Sequence, residues 1–382
     1  MLLLVLSTTL LSAAFSCQNM RIMALDKSVV VGRTLEFTQF PVDGAGNFLV
    51  TEQAGTVHEM PKLPNCETPF SFTSDYKVVR FRVWFVTEWA NTTLGGMNDE
   101  GLSVSTLYFT DFAKFKNPNK IKGSMCERAA VPQTKLATYI LSKYSSVKDL
   151  KSDLNSPRFP IVWNQPDLGN PTIPVHYAIH DRAGRGLVLE YTKQEGLTFY
   201  DNTVGAMTNA PDYGWHMENL KNYPNIQRKE WKGYQYQYQG KKYLHAPSWT
   251  GTGFTGIPGD YSSPSRFIKA ATLVSHLNFV PDAEGAVNKM FHLLNTADIP
   301  QGIISGGWGR NQQGEKVEFV DYTWWMGVYD LSRNCVYFRG YDDLSIKKVC
   351  LSDIPDVPSK INVEGEYLNS YIDVSAKLVP MS

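Results

Sequence analysis

The sequence predicts a layered α+β fold, with antiparallel sheets packed against helices. Two observations carry that expectation. Strand-like and helix-like stretches come in blocks, in the order strands, helices, strands, helices, strands. A doubly wound parallel sheet would need strict alternation instead. In addition, no clean linker and no internal repeat divides the 382 residues, so one large domain with its own core is expected.

The elements follow in order. Residues 1–16, MLLLVLSTTLLSAAFS, are too short and too interrupted to span a bilayer. They read as the apolar part of a secretory leader that ends in the small-residue site Ala14-Phe15-Ser16, although no basic segment precedes it. The mature protein is therefore expected to be secreted or periplasmic, with no membrane span. In residues 17–110, the runs SVVVGRTLEF, KVVRFRVWFVTEWA and GLSVSTLYF are β-branched and aromatic, and read as strands. Residues 126–154 switch to helical spacing, as one or two helices broken near Ser145-Ser146. Strands return over 174–210, with a hairpin turn at DRAG. Residues 222–262 are polar and rich in tyrosine and glycine, an irregular excursion or extra hairpin. Helices are expected over 264–278 and 282–296, then strands near 318–328, 335–340 and 345–351. The tail 353–382 reads as a surface strap, which leaves 17–352 as the domain.

Composition narrows the function. The 37 basic and 37 acidic residues cancel, so neither a nucleic-acid surface nor a polybasic membrane patch is indicated. Aromatic residues make up 13%, enough for an aromatic core or an apolar ligand pocket. The sequence lacks H-E-x-x-H, C-x-x-C, a P-loop, G-x-G-x-x-G and G-x-S-x-G, so no metal or nucleotide cofactor is expected. His176 and His180 are four apart, but in a strand-like run that spacing lacks the helical stacking of zinc motifs.

Five cysteines are present: Cys17, Cys66, Cys126, Cys335 and Cys350. In an exported protein four can pair and one is left over. Cys335 and Cys350 flank a hairpin-like run. Cys66 and Cys126 form a second pair or stay free. Cys17 then falls at the leader cut. It can be a disulfide cysteine, an acylated lipoprotein cysteine or an N-terminal nucleophile. The last reading has a simple chemistry. A thiol (about 8.5) and a free α-amine (about 7.7–8.0) have similar pKa values, so the amine can take the thiol proton near neutral pH. Removing the leader would create that amine, because an amide nitrogen is not basic.

Such a nucleophile needs helpers. Arg33 and Glu36, in GRTLEF, lie one strand-turn-strand length after Cys17, so a hairpin returns them beside it. A cation would favour thiolate, and a carboxylate would hold the amine. Asn209, in GAMTNAP, is a candidate oxyanion donor or only a turn residue. Arg266 opens a predicted helix, where a cation opposes the macrodipole and so calls for a specific role. Trp84, Trp89, Tyr108, Trp215 and Trp249 are candidates to line a pocket for an apolar acyl group, or to fill the core.

Taken together, Cys17, GRTLEF (32–37), GGMNDEGLSVSTLYF (95–109), GAMTNAPDYGWHMENL (205–220) and TGIPGDYSSPSRF (255–267) make the chain resemble the choloylglycine hydrolase and penicillin V acylase family of N-terminal-nucleophile hydrolases. The resemblance covers most of 17–345. It implies an αββα sandwich and hydrolysis of linear amide C–N bonds through an acyl-enzyme. It implies Cys17 as nucleophile and base, Arg33 and Arg266 near the thiol, and Asn209 with the backbone N–H of Tyr108 as oxyanion donors. It implies a structural role for Asn98. It also implies that 222–262 is an extension packing between subunits of a homo-oligomer, for which a tetramer is one arrangement.

Two departures stand out. Glu36 occupies a position where the family commonly has aspartate, and Tyr108 one where bile-salt hydrolases tend to have asparagine. Tyrosine resembles the penicillin acylase side, so penicillin V-like and N-acyl homoserine lactone-like substrates stand beside conjugated bile salts. The alternative is an exported binding protein that keeps the fold and has lost catalysis.

Overall fold

A computed structural model describes residues 16–38, 46–84, 92–165, 173–193, 196–247, 250–310 and 315–363. Two antiparallel sheets lie face to face, and a layer of helices covers the outer face of each. The first sheet contains Cys17–Met23 (β1) and Val29–Thr38 (β2). Its order is 206–207, β1, β2, 316–330, 335–340, 347–350, and the strand 304–310 also pairs with 316–330. The second sheet runs 196–201, 186–192, 175–181, 102–108, 93–98, 78–84, 46–52, 359–362. Helices α1 (Leu136–Lys143) and α2 (Val147–Asp153) pack on the second sheet. Helices α4 (Ser263–His276) and α5 (Ala283–Leu294) pack on the first, and α3 (Tyr213–Leu220) leans on α4.

The strands have the alternating or continuous apolar character that burial on two faces requires. Between the sheets, Phe81 stacks on Trp325 with ring centroids 4.2 Å apart, and Phe338 meets Phe81 edge-on. A second apolar cluster joins Leu102, Val104, Tyr177 and Leu189 to Leu136, Ile140 and Leu150 of α1 and α2. Among the described residues no helix is long and apolar enough to cross a membrane.

Most expected elements are present. The break near Ser145-Ser146 separates α1 from α2, and the Ser146 side chain caps α2 through Asp149 N–H. Helical structure starts later than the spacing suggested. Residues 130–132 form a short strand beside 161–163, and α1 begins only at Leu136, because Pro132 fixes an extended entry. The tail is more than a strap: Ser359–Asn362 pairs with Gly46–Glu52 and closes that edge of the second sheet. Residues 222–262 contain an exposed hairpin, Tyr234–Tyr238 with Lys241–His245. Cys66 pairs with Cys126 and Cys335 with Cys350, leaving Cys17 free and buried.

Candidate active site

The site starts from strand register. Residues directly opposite in an antiparallel pair share a face. Cys17 faces Leu35 and Asn19 faces Arg33, so the thiol and the Arg33 side chain both point between the sheets. Arg33 is fully buried, and its Nη2 lies 3.7 Å from Cys17 Sγ and donates to Thr106 O at 2.7 Å. The guanidinium also sits over the Trp325 ring at 5.1 Å. No carboxylate lies within ion-pair distance of Arg33 among the described residues, and its Nε and Nη1 have no hydrogen-bond partner there. A glycine at 95 permits this arrangement, since a Cβ there would strike the Tyr329 hydroxyl and crowd Arg33.

Arg266 approaches from the helix layer. It is the fourth residue of α4 and nearly inaccessible. Its fork donates to Cys17 O at 2.6 Å and Asn209 Oδ1 at 2.7 Å, and Nε donates to Tyr261 O. Burial pulls its pKa down, against Glu36 and Cys17, which hold it up. Asn209 thus sits between three partners. Its Oδ1 accepts from Arg266 and from Cys17 N at 2.7 Å, and its Nδ2 donates to Tyr108 O at 2.9 Å. The Tyr108 group in contact with Asn209 is therefore its carbonyl.

Glu36 is where the sequence reading needs correction. It lies on the face of β2 opposite Arg33, because three positions along a strand reverse the side. Its carboxylate accepts from Thr323 Oγ1 at 3.2 Å, while Cys17 N is held by Asn209 and not by Glu36. Glu36 N–H meets the Cys17 end instead through Ser16 O, at 2.9 Å. Glu36 Oε2 is buried without a partner. Burial pushes this carboxyl up to about 7, against Arg266, Thr34, Thr323 and Arg33.

A raised carboxyl pKa gives stability that is complete below about 4.5 and lost as pH rises through about 7. The expected loss is about 3 kcal/mol across that window. Glu36→Gln should remove it, so thermal melts of parent and variant between pH 4 and 8 should diverge as pH rises. Parallel profiles would rule out a buried, neutral-range Glu36.

The cavity above the thiol is narrow, about 30 Å³, and mostly apolar. Leu35, Phe37, Val83, Leu94, Ile173 and Val175 form its walls, with Thr92, Thr106 and Tyr108 as polar neighbours of Cys17 and Arg33. A larger open cleft of about 470 Å³, bordered by Lys114, Arg128 and Tyr191, shares no residue with it and has no cysteine among its described lining. Size alone does not locate the chemistry. Of the aromatic candidates with described side chains, Tyr108 lines the thiol cavity and Trp215 does not. Trp215 is 43% exposed on α3, a helix whose start Asp212 caps through Trp215 N–H. Trp89 and Trp249 lie outside the described residues, and so does the side chain of Trp84, which ends its strand. The aliphatic walls went unremarked in the sequence, although the alternation Arg33, Leu35, Phe37 marks one face. Asn98 is structural: it ties the 98–102 turn to the carbonyls of Leu141 and Tyr144.

Residues 17–355 match the family described as linear amide C–N hydrolases, choloylglycine hydrolase family. An uncharacterized protein of Paramecium bursaria Chlorella virus 1 is 29% identical over 333 residues, 87% of this chain and 100% of that one. A bile salt hydrolase/transferase of Lactiplantibacillus plantarum is 29% identical over 257 residues, 67% of this chain and 72% of its own. A mutant conjugated bile acid hydrolase from Clostridium perfringens superposes with a TM-score of 0.71 at 21% identity, covering 94% of this chain and 100% of that one. Penicillin V acylase from Agrobacterium tumefaciens superposes with a TM-score of 0.65 at 17% identity, covering 89% and 87%. At such identities the two structures speak for the fold alone, a sandwich of two antiparallel sheets between helix layers.

Proposed function

The chain belongs to the choloylglycine hydrolase family of linear amide C–N hydrolases, and from that premise we propose that Cys17 is its nucleophile and that it cleaves N-acyl amides with apolar acyl groups. One observation carries the reading: a buried thiol beside a fully buried guanidinium that has no ion pair among the described residues, in an apolar cavity. Such a cation is costly to bury, and negative charge on Sγ, 3.7 Å away, would offset it.

Cleavage between residues 16 and 17 frees the α-amine. The amine takes the thiol proton, and Sγ attacks the amide carbonyl. Charge builds on the carbonyl oxygen, where the Asn209 amide and the Tyr108 backbone N–H serve as donors. The C–N bond breaks as the ammonium returns its proton to the leaving amine. A thioester remains. Water, activated by the same amine, then attacks it, releasing the carboxylic acid and restoring the thiol. Arg266 holds Cys17 O and Asn209 Oδ1, which keeps nucleophile and oxyanion donor in one frame. The aliphatic walls match phenoxyacetyl, fatty acyl and sterol acyl groups in polarity, and the narrow cavity has to widen to admit any of them.

The two disulfides suit an exported protein. The hairpin 234–245 exposes Tyr234, Tyr236, Tyr238 and Tyr243. An isolated two-stranded hairpin is marginal in water, so contact with another copy accounts for its exposed rings.

Intact and native mass spectrometry, with iodoacetamide and no reductant, tests these readings together. The expected result is a chain starting at Cys17, one rapid alkylation at that residue, and a mass of several copies. Alkylation should stop hydrolysis of the best substrate among penicillin V, glycocholate, taurocholate and N-decanoyl homoserine lactone. A retained leader, an oxidised Cys17, or no turnover of any N-acyl amide would favour a binding protein of the same fold.

A further inference from the structure

Two fully buried imidazoles reach the segment that carries Asn209, and the reaction above makes no use of them. His176 stands on the strand 175–181 of the second sheet, and His216 on α3. His176 Nε2 lies 2.9 Å from Thr208 O, and His216 Nε2 lies 2.9 Å from Asn209 O. A carbonyl only accepts, so each ring donates its Nε2–H. Both rings are held flat, His176 against Phe109 and His216 against Phe267, with centroids 4.3 Å and 4.5 Å apart. Behind His176, Nδ1 faces Glu190 Oε1 at 3.1 Å, and Glu190 also accepts Tyr213 N–H at the start of α3.

The backbone explains the need. Ala206–Met207 pairs with β1, and beyond Met207 the chain leaves the ladder. The carbonyls of Thr208 and Asn209 lose their strand partners just where the side chain of Asn209 must be aimed. Asn209 N–H finds Ser263 Oγ at 3.0 Å. The imidazoles take the two carbonyls. A phenylalanine at either position would fill the same space without burying a polar ring, so packing alone does not account for histidine. His180, on the same strand face as His176, donates in parallel to Asn19 Oδ1, two residues after Cys17.

We propose that His176 and His216 are positioning residues that hold the Thr208–Asn209 backbone, so that the Asn209 amide stays between Cys17 N and the Tyr108 carbonyl. This rests on the role given to Asn209 above.

The test is steady-state kinetics on the mature enzyme with its best panel substrate, normalised to titrated Cys17. The variants are His216→Phe, His216→Gln, His176→Phe, Asn209→Ala and the double variant Asn209→Ala/His216→Phe. Phenylalanine keeps the stack and removes the donor, and glutamine restores an N–H. His216→Phe and His176→Phe should each lower kcat roughly 30-fold, below the ~100-fold typical of a 1 Å misplacement, with KM changed less than threefold. His216→Gln should recover most of the loss. In the Asn209→Ala background, His216→Phe should cost less than threefold, because no amide remains to be aimed. A full 30-fold loss in that background, or unchanged kcat in both phenylalanine variants, would overturn the positioning role alone. Full turnover by Asn209→Ala would remove the Asn209 assignment and the positioning role with it.

Discussion

Replacing Cys17 with alanine is expected to abolish amide hydrolysis while leaving the fold intact. The thiol is the only sulfur among the described residues that line its cavity, and the hydroxyls there are those of Thr92, Thr106 and Tyr108. Thr106 Oγ1 already donates to Thr93 O, and burial raises the Tyr108 phenol further above neutrality. Loss of one member of a catalytic unit typically costs on the order of 10⁶ in kcat. Residual turnover above roughly one per cent of the parent would therefore point to another nucleophile. The fold loses only one small buried group, about 1 kcal/mol by the usual cost of core truncation. A melting temperature within a few degrees of the parent is the control.

Arg266→Met should lower turnover by about 100-fold or more and also reduce stability. Cys17 O and Tyr261 O lose a donor, and Asn209 Oδ1 keeps only Cys17 N. A buried acceptor left unpaired costs about 1–3 kcal/mol, partly offset because a buried cation is removed. Glu36 also loses the strongest electrostatic support for its charged form. The two effects separate in one experiment. Well below the melting temperature the variant is folded, and turnover per titrated Cys17 should still be down by the full factor. Unchanged turnover per folded molecule would make Arg266 a structural residue. Arg266→Lys keeps the charge but loses the fork, and should fall between the two.

Local signals were enough for much of this architecture. The β-branched run at 29–38 is a strand, and the apolar spacing after Ser262 and Asp282 gives α4 and α5, because those patterns depend on neighbours in sequence. Cys17 and Arg33 were legible too. The orientation of Glu36 could have been read: it is three residues from Arg33, and an odd interval in a strand means opposite faces. The hairpin does return Glu36 beside Cys17, and only the direction of its side chain differs from the expectation. His176 and His216 carried no such signal, since they sit far apart in sequence on different elements and meet only through the backbone of 208–209. Of the aromatic candidates with described side chains, Tyr108 lines the cavity and Trp215 does not. Composition shows that rings are available, but whether Trp215 turns inward depends on which face of α3 meets the rest of the fold.

The pairing of β2 with the strand 316–330 bears on when this protein can become itself. Glu36 and its partner Thr323 are 287 residues apart, and the second sheet likewise waits for residues 359–362 to close its edge. At 5–20 residues per second, roughly 15–60 s separate the synthesis of the first partner from that of the second. Through that interval β2 is an apolar ribbon with one side open. Contacts so distant also make for slow folding by topology alone. A chain built in this way reaches its native state only when nearly all of it has been delivered, so any holding factor or export route that keeps it extended meets little competition from premature folding.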